Sequence, residues 1–366
     1  MKCNILFKFA FEKIIMTSTI TKERIVELHE LITNASTITV VTHTRPDGDA
    51  LGSSLGLGRF LQDIFGKQVR TIFSNRWPGT LEFLFDAGSA ASAIVFDEAP
   101  GACLQWVASS DLIICLDCSG FKRVEAMEDA LVGSCARKVL IDHHREPERD
   151  LFDLVFSETE ISSASELLFW ILMSLPEAGG KAASLPAFTL RAMTTGMTTD
   201  TNNFANSVFP STMEMASKVL EAGVDRDDII DHVFRSYREN RLRITGFILK
   251  DRMRILPEGV AHIVLFKEEL EQYDIHEGDL ESIVNMPLTA ANVRMSVMLK
   301  EDDGLFRVSV RSKKGTSAYD FARTYFHGGG HLQASGGKLL FPGDITDRSL
   351  AAGYIENAVK EFHTKK

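Results

Sequence analysis

The sequence predicts an α/β protein: a mostly parallel sheet flanked by helices, followed by a second, smaller α/β domain. Three observations predict it. Short apolar, β-branched runs of strand length alternate with helical stretches through the first half of the chain. Three of those runs end in His43, Asp117 and Asp142, and open α/β sheets bind ligands at the carboxyl ends of their strands. Near residue 255 the pattern changes to hairpin-forming strands and a glycine-rich segment. The chain has 366 residues, which at about 150 per domain allows two.

Residues 1–16 read as an N-terminal extension. Lys8, Glu12 and Lys13 interrupt the apolar positions and no small-residue cleavage site follows, so Met16 as natural start, or a short amphipathic extension, is preferred to a secretory signal. Residues 21–35 carry Ile25, Leu28, Leu31 and Ile32 at helical spacing. TITVVTH at 37–43 reads as a buried strand and 50–65 as a helix. VRTIFS (69–74), SAIVF (92–96), DLIICLD (111–117) and KVLID (138–142) read as further strands. Helices are expected at 162–175 and 184–198. The first domain is therefore drawn over 17–210, a charged helical connector over 211–254 and a second domain over 255–366. In the second domain, Asp303-Gly304 between two apolar runs signals a hairpin.

Composition narrows the function classes. Hydrophobic residues make up 45% and charged residues 25%, enough to build a packed core. Forty basic against fifty acidic residues leave a net charge of −10, which argues against a long-duplex binder that needs a broad basic face. No apolar run reaches the ~18 residues of a membrane span. Five cysteines are few and odd in number, which fits a reducing cytoplasm better than a disulfide framework.

Four segments of the first domain carry acids and imidazoles. His43-Thr-Arg-Pro-Asp47-Gly-Asp49 joins a strand end to a helix, with Pro46 and Gly48 fixing the turn. It reads equally as a metal site or as a turn whose aspartate caps the helix. Asp117 ends an apolar strand, where an unpaired carboxylate is costly; alone it reads as cap or ligand. Asp142-His143-His144 ends another. On extended backbone the two histidines would point to different sides, one to a metal and one to substrate, with Asp142 orienting its neighbours. Asp200 lies in TGMTTDTNNF at a helix end. Packed together, four carboxylates cannot all ionise without cations, and two divalent ions balance them. Oxygen and imidazole donors without thiolate favour manganese, with magnesium, cobalt or zinc as alternatives.

A fifth segment, FHGGGHLQASGG at 326–337, lies in the second domain. Its glycine amides suggest an anion nest, His331 a donor to phosphate, and Arg311 at a strand end a bidentate fork. Three patterns are read as decoys. Cys115 and Cys118 match C-x-x-C but fall in a strand, which should separate the thiols. Ser54 matches a nucleophile elbow but lies inside a helix. Gly52, Gly56 and Gly58 miss the dinucleotide fingerprint and are read as close helix-on-sheet packing.

In order, HTRPDGDALGS, LDCS, DHH and TDTNNF resemble the four motifs of the DHH phosphoesterases, and VRSK with HGGGHLQASGG resembles the attached DHHA1 domain. The likeness runs from about 36 to 340 and is nearest the small oligoribonucleases that also dephosphorylate 3′-phosphoadenosine 5′-phosphate. It implies that His43, Asp47 and Asp117 hold one metal and that Asp49, Asp117, His143 and Asp200 hold the other, Asp117 bridging. It implies a catalytic set of Asp117, His144 and Asp142, with His144 on the scissile phosphate. Arg311, Ser312, Gly328, Gly329, Gly330 and His331 would hold substrate. Two ions would activate water for in-line attack on phosphorus. The expected partners are short RNA or a nucleotide, with no long duplex and no membrane; a homodimer is one assembly the reading allows. Rival readings are hydrolysis of linear or cyclic dinucleotides (pApA, pGpG, cyclic di-AMP), of polyphosphate or pyrophosphate, and a non-catalytic nucleotide-binding protein. His327 and Asn202 stand where the family usually carries glycine.

Overall fold

The computed structural model describes residues 19–85, 87–276, 278–280 and 282–364, so the extension drawn over 1–16 lies outside the described residues. The chain divides into two compact units between Ser236 and Tyr237.

In the first unit, helix α1 (Lys22–Asn34) precedes strand β1 (Thr37–Val41), helix α2 (Gly48–Phe65) and strands β2 (Gln68–Phe73) and β3 (Ala93–Val95). Helix α3 (Pro100–Ala108), strand β4 (Leu112–Leu116), helix α4 (Glu128–Gly133) and strands β5 (Arg137–Asp142) and β6 (Leu154–Ser157) follow. Helices α5 (Ala164–Ser174), α6 (Ala187–Asp200), α7 (Pro210–Glu221) and α8 (Arg226–Arg235) complete it. The sheet order is β3-β2-β1-β4-β5-β6, every pair parallel.

Both sheet faces are covered, which is why the central strand β4, LIICL, is apolar and buried at every position rather than alternating. Ile38, Val40, Ile114 and Ile141 pack into one core with α1 and α5, while Val41, Ile113, Cys115 and Leu140 pack into another with Val107 and Leu131. The strand order reverses between β1 and β4, and His43 and Asp117 follow those two strands. A crevice at such a switch point is where doubly wound sheets bind ligands.

The second unit begins with helix α9 (Glu239–Phe247), so the charged stretch 211–254 contributes helices to both units. Strands β7 (Arg254–Ile255) and β8 (Val260–Leu265), helix α10 (Lys267–Gln272) and strands β9 (Met295–Asp302) and β10 (Leu305–Ser312) follow. Helix α11 (Ala318–Tyr325), strands β11 (Gly329–Gly330) and β12 (Ala334–Leu340) and helix α12 (Ala351–Thr364) close the unit. The sheet runs β11-β12-β10-β9-β8-β7; only β8 and β9 pair in parallel. The β9–β10 hairpin turns at Gly304, φ 68, as Asp303-Gly304 predicts.

Candidate active site

Beyond β1 the chain turns through Arg45 (φ 54) and Pro46 into α2. Asp47 caps that helix, its Oδ1 accepting the N–H groups of Asp49 (3.0 Å) and Ala50 (3.1 Å). Cap and site coincide, because the same Oδ1 lies 3.9 Å from His43 Nε2. His43 Nδ1 donates to the Thr44 carbonyl at 2.8 Å. That bond turns Nε2 toward Asp47 and toward Asp117 Oδ2, 3.4 Å away.

Helices α2 and α6 cross at backbone distance. A Cβ on Gly52 would lie 2.4 Å from the Ala192 carbonyl oxygen, and one on Gly48 2.3 Å from Thr199 Oγ1. Gly52 and Gly56 therefore pack on a helix rather than on the sheet; of the three glycines read as sheet packing, only Gly58 faces strand side chains. This crossing brings Asp49 and Asp200 to opposite sides of His143 Nε2, each with Oδ2 at 3.7 Å. Asp49 is also fixed from a third element. Its Oδ2 accepts Ala164 N–H at 2.7 Å and its Oδ1 accepts Ser165 N–H at 2.9 Å, at the N-terminus of α5.

Asp117 follows β4 in the left-handed region, φ 51, a conformation disfavoured for a non-glycine residue and common at functional sites. The turn redirects the chain, and Cys118 enters the same core cluster as Cys115. The two thiols are neighbours rather than separated by strand alternation, which corrects the sequence reading. Cys118 Sγ donates to the Gly120 carbonyl at 2.9 Å. The histidines after β5 also depart from expectation. The strand ends at Asp142, so the backbone is no longer extended and the rings converge, with centroids 4.8 Å apart. His143 Nε2 lies 3.3 Å and His144 Nδ1 3.5 Å from Asp117 Oδ1. His144 Nδ1 donates to Asp142 Oδ1 at 2.8 Å, a contact through which that aspartate would orient the ring.

Burial opposes charge on His43, but its hydrogen bond to Asp117 and the charges of Asp47 and Asp117 outweigh burial and raise its pKa to about 9. At His143 the same opposition ends higher, at about 10, because Asp117, Asp200 and Asp49 all face it. Burial likewise works against ionised Asp117, yet His143 and His43 hold its pKa well below the usual carboxylate range. Asp49 goes the other way: burial, then the Asp117 and Asp200 charges, push its pKa well up. The cluster needs positive charge.

The donors fit divalent cations. Ligand atoms of His43, Asp47 and Asp117, of Asp49, Asp117 and His143, and of Asp117, Asp142 and His144 each lie within 4.8 Å of one another. Asp117 Oδ1 is buried without a hydrogen-bond donor and has His143 Nε2 at 3.3 Å, while Oδ2 of the same carboxylate has His43 Nε2 at 3.4 Å. Oxygen and imidazole donors suit manganese, magnesium, cobalt or zinc.

In the second unit, Arg311 and Ser312 end β10, and Arg311 Nη1 donates to the carbonyls of Val310 (3.0 Å) and Ser335 (3.3 Å). Gly329 and Gly330 pair with Gly336 and Ser335. Gly328 N–H donates to Ala322 and His331 N–H to Ala334, so these amides are committed to the unit's own carbonyls and the nest is narrower than the sequence suggests. A Cβ on Gly328 would lie 2.1 Å from the Gly336 oxygen, so close pairing alone requires that glycine. His327 and Asn202 have φ 48 and 46, which explains the usual glycine there. The His327 ring bonds Asp344 at 2.9 Å. Sequence reasoning missed the amides that clamp Asp49, although Ser163 before an apolar run is a legible helix cap. It also missed Arg123, for which the sequence carries no signal.

The first unit is thus a doubly wound domain with an acid–imidazole cluster at its switch point, and the comparisons with known proteins make it a hydrolase of phosphate esters. The model of the DHH family N-terminal domain matches residues 37–197, and that of the DHHA1 domain matches 259–347. The chain belongs to the DHH family and carries a DHHA1 domain. It is similar to the bifunctional oligoribonuclease and PAP phosphatase NrnA of Bacillus subtilis, 28% identical over 92% of this chain and 98% of that protein. The protein of the same name from Thermus thermophilus is also 28% identical, over 82% and 84%. The cyclic-di-AMP phosphodiesterase GdpP of Geobacillus thermodenitrificans is 26% identical over 85% of this chain, but over only 46% of its own length. The crystal structure of an exopolyphosphatase-related protein from Bacteroides fragilis superposes with a TM-score of 0.85, at 34% identity over 95% of this chain and 98% of that one. Among the described residues no helix is long and apolar enough to cross a membrane.

Proposed function

We propose that the chain hydrolyses short oligoribonucleotides to mononucleotides, 3′-phosphoadenosine 5′-phosphate to AMP, or both, using two divalent ions with manganese foremost. The observation that carries this reading is Asp117. Its Oδ2 faces His43 and its Oδ1 faces His143, the arrangement of a carboxylate shared by two ions. Similarity over nearly the full length of a bifunctional oligoribonuclease and PAP phosphatase supports the substrate class.

When bound, such ions lower the pKa of water and take up charge on the phosphoryl oxygens. His43 and Asp47 would hold one ion and Asp49, His143 and Asp200 the other, with Asp117 common to both. The α5 amides fix Asp49 so that it need not reorganise as ions enter. Asp142 accepts a hydrogen bond from His144 Nδ1 and so would orient the ring that the family resemblance places at the scissile phosphate. Arg311, Ser312, Gly328, Gly329, Gly330 and His331, all in the second unit, would hold the rest of the substrate. No covalent nucleophile is required.

A second reading, hydrolysis of linear or cyclic dinucleotides, draws on the GdpP relatives. One side-by-side panel separates them: 2- to 5-mer RNA, 3′-phosphoadenosine 5′-phosphate, pApA, pGpG, cyclic di-AMP and pyrophosphate, each with manganese and with chelator. The proposal expects the first two to have the highest kcat/KM. Preference for cyclic di-AMP or pyrophosphate would replace it.

A further inference from the structure

Arg123 is used by nothing described so far. It lies on the helical segment Phe121–Met127 that follows β4, six residues beyond Asp117. Phe121, Val124 and Met127 are fully buried and anchor the segment below the sheet. The Arg123 backbone is tied on both sides: its N–H donates to Gly120 at 3.2 Å, and its carbonyl accepts Thr44 N–H at 2.9 Å, next to His43. From this support the half-buried side chain reaches the cluster, where Nη1 donates to His144 Nε2 at 3.2 Å.

The guanidinium has no carboxylate within 4.0 Å among the described residues. Some arginines of the first unit pair with a carboxylate, as Arg59 does with Asp63 and Arg191 with Asp228, and others rest on neutral oxygens, as Arg24 does on the Val155 carbonyl and Arg70 on that of Ala91; Arg123 differs from both in lying on an imidazole of the acid–imidazole cluster. A partly desolvated cation without a counter-charge is costly. If its task were only to orient His144, a neutral donor would serve at lower cost. Every carboxylate of the cluster faces His43, His143 or His144 instead, which leaves the guanidinium beside the cluster with donors that an anion from outside the protein could take.

We infer that Arg123 is a substrate-binding residue whose guanidinium engages a non-bridging oxygen of the phosphate at the cluster, alongside His144. The inference rests on the phosphoesterase reading for the identity of the anion. A planar fork matches two phosphoryl oxygens, which lysine does not reproduce.

The test compares wild type with Arg123→Met, close in shape and neutral, and Arg123→Lys. Three quantities are read: inorganic phosphate binding to the manganese-loaded protein by calorimetry, manganese affinity, and kcat/KM for 3′-phosphoadenosine 5′-phosphate. Arg123→Met should weaken phosphate binding and lower kcat/KM, each roughly 10- to 150-fold. Manganese affinity should stay at the wild-type value, and Arg123→Lys should recover only part of the loss. Added guanidinium should restore turnover to Arg123→Ala and not to Asp117→Ala. Wild-type phosphate affinity in Arg123→Met overturns the inference, as does an equal loss of manganese affinity, which would make Arg123 a support of the metal ligands. If wild type hydrolyses none of the nucleotides, the proposed function fails, while the phosphate titration still decides the role of Arg123.

Discussion

Asp117 shows what a single residue contributes and what its sequence context conceals. That it ends a buried strand is legible, and so is the need for a partner. That its backbone turns left-handed is not, because φ 51 is held by tertiary contacts rather than by a glycine. Two expectations failed on this kind of local turn. Strand alternation was extended one turn too far, through Asp117 to Cys118 and through Asp142 to His144. In both places the strand had already ended. The charge balance gives a prediction at the same scale. In metal-free protein the pKa values of His43 and His143, about 9 and about 10, exceed the ~6.5 of an unfolded histidine. Their contribution to stability is fully present below about pH 6.5 and is lost as pH rises through about 9 to about 10. Thermal unfolding of metal-free protein from about pH 7 to about pH 10 should show a falling Tm, and His143→Gln should flatten the fall. A wild-type slope retained in that variant would place the titrating groups elsewhere.

At the scale of elements, strands and helices of the first unit were legible because buried parallel strands and amphipathic helices differ in period. Strand β6, LVFS, lies outside the strands read from sequence: four residues are too few to show a period, and pairing with β5 is what makes them a strand. The helix crossing that assembles the site was also hidden, since glycines inside a helix do not reveal what approaches them. Gly196 is the sharpest case. A Cβ there would lie 2.0 Å from Ser165 Oγ and 2.8 Å from Asp49 Oδ1. Gly196→Ala should therefore cost about 1–3 kcal/mol by overpacking and weaken manganese binding roughly 10- to 100-fold by displacing Asp49. Gly101→Ala on α3, where an added Cβ meets nothing within 4 Å, is the control: it should leave manganese binding unchanged and stability unchanged or raised by up to about 1 kcal/mol. Calorimetric unfolding and a manganese titration read the two effects. Equal behaviour of the two variants would mean that the α2–α6 crossing does not set the position of Asp49.

For the molecule as a whole, the proposed function implies a division of labour, in which the first unit would perform the chemistry and the second would select the substrate. The net charge of −10 fits short substrates, which need local anion contacts rather than a basic track. Arg311→Ala should remove about 1.5–3 kcal/mol of charged hydrogen bonding, roughly 10- to 150-fold in kcat/KM, for oligonucleotides and 3′-phosphoadenosine 5′-phosphate. For an aryl phosphodiester too small to use the second unit the loss should be slight. Equal proportional losses on both substrates would end the division of labour. The central claim, that two ions sharing Asp117 carry out hydrolysis, is tested most directly by titrating manganese into metal-free protein while following phosphate release from 3′-phosphoadenosine 5′-phosphate. The account predicts two ions per chain, activity that appears as the second site fills, and no turnover at any manganese concentration in a folded Asp117→Ala variant. Full activity with one ion bound, activity that survives chelation, or near-normal turnover by Asp117→Ala would contradict it.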